Sequence, residues 1–262
     1  MDLGLNGKVA LITGGSKGIG RACAERLAQE GCDVLIVART ASDLEQAAAA
    51  IREASGRQVE ICATDLRSAQ GCEAAVGALQ HAFDRLDVLV NNAGATQSGD
   101  FFKLDDATWE DGFALKFYSY VRLSRALWPL LKDAQGSVVN VIGGASKTPS
   151  ANFMIGGAVN AAITNFAKAL AELGLRDGVA VKAVHPGMTV TGRLESLLRQ
   201  RAEAEGMSRD DYEQRELARA GPRRYSQPED IASLVAFLAS PVAQQIHGAD
   251  VFIDGGATKT IL

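Results

Sequence analysis

Apolar runs of strand length alternate with helical patterns along almost the whole chain, and few folds accommodate that order. Seven such runs, at 8–13, 33–39, 58–63, 86–91, 137–142, 179–185 and 249–253, predict strands. They are near-continuous Val/Ile/Leu stretches rather than apolar–polar alternations, the pattern of strands buried on both faces of a parallel sheet. Helices are predicted over about 18–30, 42–54, 68–83, 107–132, 153–175 and 228–239. Ser42 and Glu45 have the spacing of a capping box at the start of the second helix. Repeated strand–helix units with right-handed crossovers build an α/β doubly wound sandwich. A polar segment at 187–227 interrupts the rhythm and is expected to form a flap over the site, within a single domain spanning 1–262.

Composition narrows the partners. With 47% hydrophobic and 22% charged residues the chain is ordinary globular material. A net charge of −4 and a pI near 5.5 give no electrostatic case for nucleic acid or an anionic membrane. No apolar run approaches the ~20 residues a membrane helix needs. The opening MDLGLNGKVALITGG lacks the basic, apolar and small-residue succession of a secretory leader. Cys23, Cys32, Cys62 and Cys72 have neither CxxC nor Cys/His ligand spacing, so no metal site is expected. Buried thiols in a reducing cytoplasm is the reading that follows.

The strongest local signal is Thr13-Gly14-Gly15-Ser16-Lys17-Gly18-Ile19-Gly20, which follows the first strand and opens the first helix. Glycines at 14, 18 and 20 allow a tight turn, close approach of the backbone to a diphosphate, and close helix packing. The helix start offers free N–H groups and a positive dipole end to phosphate.

TGGSKGIG, Asp65-Leu66, Asn91-Asn92-Ala93-Gly94, Pro186-Gly187, PEDIASLVAFLAS and VFIDGG together resemble the short-chain dehydrogenase/reductase family, from about residue 6 to 257. The resemblance implies a single Rossmann-like domain with a seven-stranded parallel sheet and a nicotinamide cofactor. It implies that Gly14, Ser16, Lys17, Gly18, Ile19 and Gly20 hold the diphosphate side and that Asp65 and Leu66 flank the adenine. It places Asn91, Ala93 and Gly94 under the adenosine, and Pro186, Gly187, Thr189 and Thr191 against the nicotinamide. It also implies a homodimer or homotetramer, with the two long helices paired across two-fold axes; Ala161, Ala162, Ala167 and Ala171 offer a small-residue face for either that contact or the sheet.

The cofactor choice rests on the end of the second strand, Val37-Ala38-Arg39-Thr40. An acid there would accept from a ribose 2′-OH and select NAD(H). None is present, and Arg39 and Lys17 suit a 2′-phosphate, so NADP(H) is expected in preference to NAD(H).

Catalysis is where the resemblance breaks. The family's Ser, Tyr, Lys and Asn positions fall on Gly143, Gly156, Asn160 and Lys116. Gly156 and Gly157 inside a helix each cost about 1 kcal/mol relative to Ala, which suggests that space is needed there for a ligand or another segment. Lys116 is the candidate replacement acid, because a desolvated lysine has a lowered pKa. Asn160 is the second catalytic candidate and a ribose contact. Ser146, Lys147 and His185 lie nearby without a clear role, and His81 and His247 show no evident partner. The expected function is an NADP(H)-dependent oxidoreductase acting on a small-molecule carbonyl or alcohol with an altered acid–base apparatus. The alternatives are a non-catalytic NADP(H) sensor or partner subunit, and a non-redox lyase or isomerase.

Overall fold

In a computed structural model, described over residues 1–260, seven strands form one parallel sheet in the order β3-β2-β1-β4-β5-β6-β7. They are β1 (Val9–Thr13), β2 (Asp33–Ala38), β3 (Val59–Ala63), β4 (Val88–Asn91), β5 (Ser137–Val141), β6 (Ala180–Pro186) and β7 (Asp250–Ile253). The register pairs Leu11 with Leu35 on one side and Leu89 on the other. Alternate residues point to opposite faces, so each face receives its own core. Ala10, Ile12, Val34, Ile36 and Val90 pack with α1 (Gly18–Gln29), α2 (Ala41–Ser55) and α9 (Pro228–Ala239). Val9, Leu11, Leu35, Val37 and Leu89 pack with α3 (Ala69–Ala82), α5 (Ser119–Asp133) and α6 (Met154–Asp177). The doubly buried strands explain why their sequences do not alternate.

Three expectations need correction. The stretch predicted as one helix over 107–132 is α4 (Asp106–Gly112), a π-helical turn over Phe113–Tyr118, and α5. The second helix begins at Ala41, so Ser42 lies inside it; Thr40 is its N-cap and makes no side-chain cap bond. His247 has partners after all: Nε2 lies 2.7 Å from the Ala171 carbonyl, and Nδ1 lies 3.3 Å from the Val181 N–H.

The segment 187–227 holds α7 (Gly192–Ala204) and α8 (Arg209–Ala220). They share a small core of Leu194, Leu198, Ala202, Tyr212 and Tyr225. The base of the flap is pinned by Val190 N–H to Ser226 O (2.8 Å) and Ser226 N–H to Met188 O (3.0 Å). Among the described residues no helix is long and apolar enough to cross a membrane, and no His/Cys/Asp/Glu group could hold a metal ion. The cysteines are unpaired, three of them buried.

Candidate active site

Strand order reverses between β1 and β4. Their following loops diverge there and leave a crevice at the carboxyl ends of the strands. Thr13 ties the two loops together. Its hydroxyl accepts from the N–H groups of Asn92 (2.8 Å) and Ala93 (2.9 Å), and the Asn92 amide donates to Thr13 O (3.0 Å). Asn91 lies beneath this, fully buried, with its amide on Ser124 and Asn140. It braces the crevice floor and has no free surface for a ligand.

The glycine turn is a cradle that side chains would fill. Gly14 and Gly18 have φ of +69° and +54°, which L side chains rarely adopt. A Cβ on Gly20 would sit 2.2 Å from Gly14 O and 2.5 Å from the Asn92 amide. Lys17, the N-cap of α1, makes no side-chain cap bond, and the N–H groups of Gly18, Ile19 and Gly20 have no acceptor among the described residues. Exposed donors at a helix start, beside a glycine turn, fit a diphosphate. Gly20→Ala is therefore expected to cost about 1–3 kcal/mol, as overpacking against backbone does. The melting temperature should fall by several degrees; an unchanged value would show that the turn has slack.

A groove of about 290 Å³ continues from this cradle. Gly14, Ser16, Lys17, Arg39, Leu66, Ala93 and Gly94 line it, as expected for the adenosine side. Thr40, Asp43, Thr64, Ala95 and Leu115 line it too, and were not anticipated. Asp43 matters most, because it takes Lys17 in an ion pair at 2.7 Å. Among the described residues Arg39 has no ion-pair partner within 4.0 Å, so it is the free cation at the end of β2. Asp65 is exposed and paired with Arg67 rather than lining the groove.

The opposite wall comes from the loop after β6. Pro186 ends that strand, and the Gly187 N–H donates to Ile253 O at 3.0 Å. The Thr189 hydroxyl is buried and donates to Gly187 O, while the Thr191 hydroxyl caps α7 by accepting from the Leu194 N–H. Thr191 keeps its O–H donor and Thr189 its acceptor capacity. Toward the cradle Thr191 presents its methyl group, 3.1 Å from where a Cβ on Gly18 would lie.

Lys116, Ile142, Gly143, Asn160 and Gly94 form a knot at the ends of β4 and β5. The π-helical turn swings Lys116 inward, as such turns often do at functional sites. Its stem lies over Gly94, where a Cβ would be 2.8 Å from Lys116 Cδ. Nζ donates to Ile142 O (2.5 Å) and Asn160 Oδ1 (2.7 Å). Desolvation, with a smaller push from the Arg193 charge, lowers the amine from 10.5 to about 7. Asn160 is buried and bound to Lys116, which makes it a positioning residue for the amine.

The space predicted at Gly156 is taken by another segment. A Cβ there would lie 2.0 Å from the Phe153 ring, so Phe153 fills the void. Gly157 would accept a Cβ in ordinary contact, 3.5 Å from Ala145 O. His185 is fully buried and stacked on Phe252, with Nδ1 3.1 Å from Ser146 Oγ and Nε2 3.2 Å from Asp250 Oδ1. It is a satisfied histidine at the sheet end. Lys147 lies 3.7 Å from the same carboxylate.

Residues 8–202 match the family described as short chain dehydrogenase. An uncharacterized oxidoreductase of Bacillus subtilis is 32% identical over 267 residues, covering all of both chains. A 3-oxoacyl-[acyl-carrier-protein] reductase of Vibrio cholerae is 34% identical, covering 97% of this chain and 98% of its own. The crystal structure of L-sorbose reductase from Gluconobacter frateurii, complexed with NADPH and L-sorbose, superposes with a TM-score of 0.96 at 32% identity, covering all of both chains.

Proposed function

Because the chain belongs to the short-chain dehydrogenase family, we propose that it is an NADP(H)-dependent oxidoreductase that interconverts a small-molecule carbonyl and alcohol, with Lys116 as its proton donor. The observation that carries this reading is the Lys116 knot: an amine held by two acceptors, with a pKa near 7, at the ends of the central strands.

The residues present fit the cofactor. The N–H groups of Gly18, Ile19 and Gly20 hold the diphosphate, and Arg39 holds the 2′-phosphate through its fork of donors. Leu66 packs against the adenine, and Pro186, Gly187, Thr189 and Thr191 wall the nicotinamide end. When bound, the nicotinamide supplies or accepts hydride.

The chain's own contribution is the proton. A charged Lys116 has three N–H groups, of which two are committed to Ile142 O and Asn160 Oδ1. The third is free for a substrate oxygen. After that proton leaves, the neutral amine still has two N–H groups for its two acceptors, so no buried partner is orphaned. A pKa near the working pH is what a general acid needs. Arg193, bonded to Thr96 O at 2.9 Å, brings a second positive charge toward the knot from the flap. A substrate with an electron-rich oxygen suits that field. Arg209, by contrast, is tied up with Glu195, Asp210 and Glu213.

We further propose a homodimer or homotetramer joined through α5 and α6. Of the small-residue face, Ala167 and Ala171 are buried inside the subunit, while Ala161 is exposed and Ala162 half-buried. Exposed Tyr118 and the half-buried Phe117–Phe166 pair are better suited to the contact. Unpaired buried thiols, Cys23 pushed up to about 12 by desolvation, support a reducing cytoplasm as its location.

Titration with NADPH and, separately, NADH tests the reading, followed by a panel of ketoses and 3-oxoacyl thioesters read by nicotinamide absorbance. Tighter binding of NADPH with turnover of any member is expected. Tight binding without turnover would identify a sensor, and no binding of either at millimolar concentration would overturn the oxidoreductase.

A further inference from the structure

The foot of the sheet, at the amino ends of the strands and opposite the cofactor groove, holds a buried lysine that the mechanism does not use. Lys182, the third residue of β6, is 1% exposed. Its ammonium makes one hydrogen bond, to Ser137 Oγ at 3.0 Å, and has no carboxylate within 4.0 Å among the described residues. Ser137 in turn donates to Ala180 O at 3.4 Å, which leaves its oxygen as the acceptor. A buried ammonium with two N–H groups unanswered is costly to retain. Burial lowers its amine only to about 8, so at neutral pH it remains mostly charged.

Lys182 lines a small cavity together with Lys8 and the exposed residues Gln135 and Gln244. Gln135 has a φ of +48° in the turn before β5. Asp87 also borders the cavity, but its carboxylate is already engaged by three donors, two of them cationic. It accepts from Lys8 (3.1 Å), Arg85 (2.7 Å) and the Val9 N–H (2.9 Å). Lys182 is the buried donor left underused, and the side-chain amides of Gln135 and Gln244 make no hydrogen bond among the described residues. The room is about 30 Å³, against the ~10–15 Å³ one water needs, which suits an anion of one to four heavy atoms.

We propose that this cavity is a binding site for a small monovalent anion such as chloride or nitrate, seated on Lys182 with the Gln135 and Gln244 amides closing over it. The anion completes the hydrogen bonding of Lys182 and neutralises a charge that the fold otherwise buries alone, tying the first residues of β5 and β6 to the end of α9. It shares no residue with the cofactor groove.

Thermal unfolding at pH 7 and constant ionic strength, exchanging sodium gluconate for sodium chloride, tests it. Gluconate is too large to enter. The wild-type melting temperature should rise saturably, by about 3–6 °C at ten times the dissociation constant. Lys182→Met should lose that increment and melt no lower than wild type in gluconate, because a long apolar side chain replaces an uncompensated charge. No chloride response in wild type, or an equal one in the variant, would overturn the site. Should Lys182→Met not fold, wild-type crystals soaked in bromide decide the question. An anomalous peak within hydrogen-bond distance of Lys182 Nζ is expected, and water alone at that position overturns the proposal.

Discussion

Lys116→Met should lower turnover about 10²–10⁴-fold while leaving NADPH affinity within about threefold. The range is what a positioned general acid contributes, and the affinity should hold because the diphosphate cradle and Arg39 are untouched. The pH dependence has a definite sign. For carbonyl reduction the charged amine is the active form, so the wild-type rate should be flat below about 7 and fall as pH rises through that value. The variant should lack that limb. Stability gives an independent reading. Folding moves this pKa from 10.5 to about 7, so between those values the unfolded chain binds more protons than the native one, and stability rises with pH. Below about 7 both states are charged and the full burial cost is felt. Lys116→Met also leaves Ile142 O and Asn160 Oδ1 without their donor at every pH, so the melting temperature of the variant relative to wild type should be highest below pH 7 and lowest near pH 10. A variant that turns over within threefold of wild type would remove Lys116 from the chemistry, even if its stability behaved as described.

What was legible in the sequence is what depends on local pattern. Unalternating Val/Ile/Leu runs report strands with two dry faces, and Ala10 and Leu11 do pack into different cores. The glycine turn was readable because steric requirements act within a few residues: Gly14 and Gly18 need positive φ, and Gly20 must let Gly14 O approach. The misses arise where a long-range contact decides. Nothing local in 107–132 announces a π-helical turn; it forms where Lys116 crosses Gly94 to reach Ile142 and Asn160. The vacancy inferred at Gly156 was sound as sterics, but its occupant, the Phe153 ring, lies only three residues earlier in the chain. Thr191 also starts α7, its hydroxyl accepting from the Leu194 N–H, a role that its place before a helical stretch could have revealed. The pairing of Lys17 with Asp43 was also missed, although Lys17 is the N-cap of α1 and Asp43 lies in the first turn of α2, two helix starts that border the same groove.

That last pairing sets the second large prediction, on cofactor choice. Lys17 and Arg39 looked equivalent as phosphate ligands, yet Lys17 spends its charge on Asp43 while Arg39 is free. Arg39→Asp should therefore weaken NADPH binding much more than Lys17→Met does. Removing a charge-assisted bond to phosphate costs about 1.5–3 kcal/mol, or roughly 10–150-fold, and the new carboxylate adds repulsion against the 2′-phosphate. The same carboxylate can accept from a ribose 2′-OH, so NADH binding should hold or tighten and the preference should invert. Lys17→Met removes a cation that is already half neutralised, and it leaves Asp43 unpaired beside the phosphate; a loss of several-fold is expected. Isothermal titration of both cofactors against the two variants separates these effects. If Arg39→Asp changes the NADPH dissociation constant by less than threefold, Arg39 does not hold the 2′-phosphate, and the selectivity must come from the backbone and hydroxyl groups of Ser16 and Thr40 instead.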